Sequence, residues 1–231
     1  MTTTAGVAVV VPVYGNADTL TELFRRLDGA LGGKLVEVVF VDDGSPDASR
    51  QVILELARDD PRVHPVLLEH NRGQHTATLA GLRTVTTEWT VVMDADLQDP
   101  PEAVPLLLER AARGDVAAVF GGRRGRYEPL GRRITSIAYK RLLARIAHVP
   151  HDAGTFVVLS RPLVSRLLTM GGPSPSLVAM IGCAGLPVAS VPIERVPRPR
   201  GKSAYTRFKR LRSGACAVRW VVWWRLRGAQ R

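Results

Sequence analysis

The chain has 231 residues, 45% of them hydrophobic, and a formal net charge of +11. That length suits one compact domain with a short tail, and the apolar share can fill a core, which excludes disorder of the whole chain. No stretch reaches the roughly 18–20 apolar residues of a membrane span, and residues 1–6 are small and mostly polar, unlike a secretory leader.

The charge is unevenly divided. Residues 1–119 hold 10 Lys/Arg and 18 Asp/Glu, whereas residues 120–231 hold 22 Lys/Arg and 3 Asp/Glu. A second half this basic expects an anionic partner: phosphates on a small molecule, anionic lipid or nucleic acid. The two cysteines, Cys183 and Cys216, lack metal-ligand spacing and read as buried free thiols in a reducing compartment.

Val7–Val13 is a β-branched apolar run, as in a strand buried on both faces. Thr19–Leu31 places Leu20, Leu23, Phe24, Leu27 and Leu31 at helical spacing. Val36–Val41 is a second buried strand, Asp47–Arg58 a helix, Val63–Leu68 a strand and Gln74–Val85 a helix. Trp89–Met93 is a fourth strand that runs straight into Asp94-Ala95-Asp96. Glu102–Arg113 and Ile134–Ala147 read as helices, Val116–Phe120 and Thr155–Leu159 as strands, and Arg161–Met170 as a helix. Val188–Val196 is a late strand, Arg198–Ser203 a basic loop, and Thr206–Arg227 a helix carrying Trp220, Trp223 and Trp224. Strands alternating with helices predict an α/β domain, a mostly parallel sheet covered on both faces. The domain is expected over 1–205, followed by a basic, Trp-rich C-terminal helix over 206–231.

Ligands of such sheets sit beyond the carboxyl ends of the strands. Asp42, Asp43, Asp94 and Asp96 all fall at predicted strand ends. Four acids on one rim repel one another unless a cation joins them. Along an extended segment residues 94 and 96 project to the same side. Two hard oxygen ligands there suit Mg²⁺ or Mn²⁺, which keep positions open for substrate phosphates, and Gln98 could add a carbonyl oxygen.

The order Val11-Pro12-Val13-Tyr14, Val41-Asp42-Asp43-Gly44-Ser45, Asn71-Arg72-Gly73-Gln74-His75, Asp94-Ala95-Asp96-Leu97-Gln98 resembles the family-2 glycosyltransferases. Among these the chain is most similar to the polyprenyl-phosphate sugar transferases, over roughly residues 6–210. The resemblance implies a GT-A fold, Rossmann-like, and an inverting transfer of a sugar from a UDP- or GDP-sugar to a polyprenyl phosphate, with Mg²⁺ or Mn²⁺. It implies that Pro12, Tyr14 and Gly73 line the donor pocket, and that Asp42 or Asp43 accepts from base or ribose. Asp94, Asp96 and Gln98 would hold metal and diphosphate, with Asp96 at the centre of catalysis. Arg123 and Arg133 stand where the family has cations for donor or acceptor phosphate. The run from Arg195 through Arg198, Lys202 and Ser203 to Tyr205 resembles a loop that orders over bound phosphates.

Asp152-Ala153-Gly154-Thr155-Phe156 resembles the family's Asp-x-Gly-x-Phe segment. Asp152, expected among arginines, could orient the acceptor or a phosphate-binding Arg, or serve as general base if the acceptor is a hydroxyl. The chain departs from the family at Gly15-Asn16, usually Asn-Glu, at Val157, often Arg, and at Ala204, usually Lys; the membrane helices of the bacterial enzymes are also missing. A soluble hydroxyl acceptor is therefore the alternative to polyprenyl phosphate. The tail could lie at an anionic membrane surface, pack on the domain or join a homodimer, and the protein is expected in the cytoplasm or on the inner face of the plasma membrane. A nucleic-acid-binding α/β protein is the remote alternative, without any RNA-binding or helix-turn-helix signature to support it.

Overall fold

The computed structural model describes residues 6–124, 145–172, 176–196 and 218–226, with the backbone alone at 123 and 124. The strands are β1 (Val7–Val13), β2 (Leu35–Asp42), β3 (Val63–Leu67), β4 (Trp89–Val92), β5 (Ala118–Arg124), β6 (Val157–Ser160) and β7 (Val188–Glu194). They form one sheet in the order β3-β2-β1-β4-β6-β5-β7. β6 runs antiparallel to both its neighbours, and every other pairing is parallel.

β1 is central and buried along its whole length, which is why it reads as continuous Val rather than as alternation. Its two faces serve two cores. Val7, Val9, Val11 and Val13 join Leu20, Leu23 and Leu27 of α1 (Ala17–Leu31), Ile53 of α2 (Ser49–Asp59) and Leu107 of α4 (Val104–Ala111). Ala8 and Val10 face α3 (Gln74–Leu82), with α5 (Arg161–Thr169) and α6 (Leu177–Cys183) in the same core. Both edge strands carry an exposed proline, Pro65 in β3 and Pro192 in β7, which blunts pairing with another chain.

Three differences from the expected elements have physical causes. α3 stops at Leu82 rather than Val85, because the chain must turn to enter β4. α6 was not expected: seven residues including Gly182 are too few to display a helical period. β4 ends at Val92, so Ala95 and Asp96 lie in a turn and not in an extended segment.

The expected helix over 134–147 is described only at its end, 145–147, and the expected tail helix only at 218–226; both stretches are helical. The basic loop 198–203 lies outside the described residues. In the 218–226 helix Trp220 and Val221 are fully buried against the α3–α5–α6 core. Trp220 stacks on Trp224 at 5.6 Å and donates its indole N–H to the Gly171 carbonyl. No helix among the described residues is long and apolar enough to cross a membrane.

Gly44 holds the turn after β2 against the 70–71 segment. Its φ is +66°, and a Cβ there would stand 2.9 Å from both the Asn71 nitrogen and the His70 carbonyl carbon. Gly44→Ala is expected to lower unfolding free energy by about 2–4 kcal/mol, from left-handed strain plus a backbone collision; urea denaturation of the two proteins checks it.

Candidate active site

The crevice begins where β1 and β4 part. Val10 and Val92 are the last residues paired between them, and the Met93 N–H then donates to the Val10 carbonyl. Carbonyls along β1 alternate sides: Val10 faces β4, and Val13 accepts from Asp43 on the β2 side. Pro12 therefore turns its nitrogen towards β4, where it has no hydrogen to donate. The β1–β4 ladder stops while β1–β2 continues to Val13 and Asp42. Strand order reverses at this place, so the opening sits at the switch point of the sheet.

The turn after Tyr14 is fastened to the turn after β2. Gly15, Asn16 and Ala17 donate their N–H groups to Ser45 Oγ, Ser49 Oγ and Asp47 Oδ2. Burial works against ionisation of Asp47, but the Ser49 hydroxyl and the Ala17 and Ser49 N–H groups outweigh it and hold its carboxyl below the usual range. Tyr14 stands 40% exposed at the mouth of the crevice.

The four acids do not form one cluster. Asp42 is fully buried; its Oδ1 accepts from the Ser45 N–H and its Oδ2 from Arg50 Nε at 3.0 Å. Asp43 accepts the Arg72 and Gly73 N–H groups at 2.7 and 2.9 Å. Burial pushes the Asp43 carboxyl above its ordinary value in spite of those two bonds. Gly73, at φ +90°, starts α3 from this anchor. Repulsion among the rim acids is thus answered at Asp42 and Asp43 by protein donors rather than by a shared cation.

Asp94 and Asp96 occupy the other wall. Gln74 Nε2 donates to Asp94 Oδ1, and Thr155 Oγ donates to both Asp94 oxygens at 3.1 Å. The Gln98 N–H donates to Asp96 Oδ1 at 3.1 Å. The turn that carries Asp96 is held from beneath: Thr19 Oγ donates to the Ala95 carbonyl at 2.7 Å, and Leu97 is buried with φ +58°. A left-handed leucine is uncommon, and its burial supplies the packing that keeps it there.

Arg195, just beyond β7, forms a two-pronged ion pair with the buried Asp99, at 2.6 and 2.9 Å. The next residue ties the same segment down, the Val196 N–H donating to the Gln98 carbonyl at 3.0 Å. Burial opposes the charge on Arg195, yet Asp99 together with the fields of Asp94 and Asp96 raises its pKa above the ordinary value. Arg195, expected at a phosphate, is thus fastened to Asp99, with both DxD acids within its field.

Asp152 lies over β5. Its Oδ2 accepts from Ser190 Oγ at 2.9 Å and would stand 2.1 Å from a Cβ on Gly122, so only glycine leaves room for it. Its Oδ1 is buried with no hydrogen-bond partner among the described residues. No ion pair joins Asp152 to an arginine among the described residues, and most of the arginines expected around it are not among them. Arg123 is placed only by its backbone, opposite Ile193, and Arg133, Arg198, Lys202 and Ser203 lie outside the described residues. Gln74, Thr155 and Ser190 belong to the site although sequence reasoning gave none of them a role. Thr155 could be found only through the β4–β6 register: Val92 pairs with Val157, and continuing that count brings residue 155 opposite 94.

Among the described residues no three of His, Cys, Asp or Glu gather as a metal cage. The Asp94 and Asp96 carboxylates and the Gln98 side-chain carbonyl are hard oxygen donors by chemistry, the kind that would suit Mg²⁺ or Mn²⁺. An apolar groove of about 420 Å³, lined by Val7, Leu31, Trp89, Pro105 and Leu108, lies at the amino ends of β1 and β4, away from these acids.

A mostly parallel sheet of this order, opened at its switch point beside an acidic turn, belongs to the GT-A class of α/β fold. The match to glucosyl-3-phosphoglycerate synthase from Mycobacterium tuberculosis, solved with Mn²⁺, UDP-glucose and phosphoglyceric acid, has a TM-score of 0.70 at 18% identity over 94% of this chain and 79% of that one. A Pyrobaculum calidifontis mannosyltransferase with GDP-mannose and Mn²⁺ matches at 0.61 and 23% identity, over 86% and 58%. Residues 8–168 match the model of glycosyl transferase family 2, and the chain belongs to that family. It is 34% identical to the undecaprenyl-phosphate 4-deoxy-4-formamido-L-arabinose transferase of Klebsiella pneumoniae over 211 residues, 89% of this chain and 64% of that one. The enzyme of the same name from Edwardsiella ictaluri is 34% identical over 86% and 62%. The chain therefore spans under two thirds of these relatives' length.

His75, next to Gln74, accepts the Leu177 N–H on Nδ1, and burial lowers its pKa from 6.5 to about 4. Between those values the unfolded chain takes up a proton that the folded one refuses, so stability falls as pH drops from 6.5 towards about 4. Denaturation midpoints at pH 7 and pH 5 should differ more for the parent protein than for His75→Gln.

Proposed function

We propose that the chain transfers a sugar from a nucleoside diphosphate sugar, UDP- in preference to GDP-, to a polyprenyl phosphate at the cytoplasmic face of a membrane. The observation that carries this is the placement of Asp94 and Asp96 in the switch-point crevice within the field of Arg195. The identity to undecaprenyl-phosphate transferases supports the acceptor class.

The chemistry has a simple balance. An acceptor oxygen forms a bond to the sugar C1 from the face opposite the leaving group. The bond from C1 to the diphosphate oxygen breaks, and its electron pair leaves on the nucleoside diphosphate. A divalent ion held by Asp94, Asp96 and Gln98 neutralises that charge when bound. The chain's own cations, Arg195 in place and Arg123, Arg133, Arg198 and Lys202 from the basic half, supply the remaining attraction for phosphate. Tyr14 and Pro12 border the crevice that receives the nucleoside, and Ser203 follows Arg195 in the sequence as a further donor for phosphate. A phosphate acceptor is already anionic and needs no base.

The basic half also supports an anionic membrane surface as a partner. Val222 and Leu226 are 51% and 65% exposed beside Arg219 and Arg225 on the packed C-terminal helix, an amphipathic outer face of the kind that lies at headgroup depth.

Asp96→Ala is expected to reduce nucleoside diphosphate release from a UDP- and GDP-sugar panel with Mn²⁺ by at least about 100-fold, with an unchanged thermal midpoint. Transfer at the parent rate would remove the metal assignment.

One observation favours a second reading. The unpartnered, buried Oδ1 of Asp152, with Ser190 fixing the other oxygen, suits a group that takes a proton from a hydroxyl acceptor. With a hydroxyl acceptor Asp152→Asn should lower kcat by about 100-fold or more, whereas with a phosphate acceptor the loss should stay within about tenfold; rates on polyprenyl phosphate and on a sugar alcohol separate the two.

A further inference from the structure

We infer that Gln74 and Thr155 are positioning residues for the divalent cation, holding the Asp94 carboxylate from two separate elements of the fold. The inference rests on the metal site proposed above and assigns two residues outside its ligand set. Gln74 opens α3 and reaches Asp94 Oδ1 with its side-chain N–H. Thr155 precedes β6 and spreads its hydroxyl donor over both oxygens at 3.1 Å. One donor comes from the α3 side of the sheet and the other across the antiparallel β4–β6 pair, so the carboxylate is held from two elements that do not follow one another in the chain.

The physical consequence concerns rotation. Beyond β4 the backbone leaves the extended conformation within three residues, so the strand does not dictate where the Asp94 carboxylate points. Donors on two separate elements fix its plane. Partners that fix a metal-bound carboxylate typically change metal affinity 10–100-fold when removed. The Asp43 bonds to the Arg72 and Gly73 N–H groups extend the same chain of contacts backwards, because they set where Gln74 begins.

Thr155→Val removes only the hydroxyl, Gln74→Met only the amide, and Thr155→Ser restores the donor. The test is direct titration of Mn²⁺ alone, followed by the electron paramagnetic resonance signal of free aquated Mn²⁺, together with thermal midpoints. The expected result is Mn²⁺ binding weakened about 10–100-fold in Thr155→Val and Gln74→Met, recovered in Thr155→Ser, with midpoints close to the parent. Mn²⁺ binding equal to or tighter than the parent in both donorless variants overturns the clamp. Weak binding in Thr155→Ser as well also overturns it, since packing rather than the hydroxyl would then matter. No Mn²⁺ binding by the parent protein overturns the metal site itself, which is a separate failure.

Discussion

A missing hydrogen organises this molecule. Proline 12 stands in the central strand, where every other residue of β1 can offer an N–H to a neighbour. Its ring nitrogen is turned towards β4, and the β1–β4 ladder ends three residues before the β1–β2 ladder does. Pairing on one side and separation on the other split the sheet at its carboxyl edge. Everything that reads as chemistry borders that split: Tyr14 at its mouth, Asp43 and Gly73 on one wall, Asp94 and Asp96 on the other.

The walls are joined by a continuous run of hydrogen bonds. Asp43 holds the Arg72 and Gly73 N–H groups, Gln74 follows as the first residue of α3 and reaches Asp94, and Thr155 meets Asp94 from the front of β6. Arg195 closes the circuit from β7 through Asp99, while its charge is felt at both Asp94 and Asp96. A half-buried arginine carries a desolvation cost when it stands alone. Paired with Asp99 in a fork it becomes a fixed positive charge that lets two carboxylates stand close before any ion arrives.

Electrostatics also divides the chain. The first half builds the acidic crevice and spends much of its basic complement internally, as at Arg50 with Asp42 and Arg62 with Asp28 and Asp60. The second half has almost no acids to spend its arginines on. That excess of positive charge is the kind that favours an anionic partner.

Strand and helix content, the two-faced sheet and the family were legible in the residues themselves, because each rests on local signals. β-branched runs, helical leucine spacing and acids at strand ends are written along the chain, and no partner is needed to see them. The resemblance likewise followed from ordered short motifs. Pairing partners were not legible. Asp42 and Asp43 looked like two more members of an acidic rim until the fold supplied Arg50 and the 72–73 N–H groups. Arg195 read as a cation for phosphate, and its fork onto Asp99 appeared only with the fold. Thr155 and Ser190 carried no signal at all, since their roles come from the register of an antiparallel pair and from the closeness of β5 to β7. Sequence alone determined which chemistry the chain could perform; only the tertiary structure decided which carboxylates are already occupied and which face the crevice, because hydrogen-bond partners tens of residues apart are chosen by strand order and not by spacing.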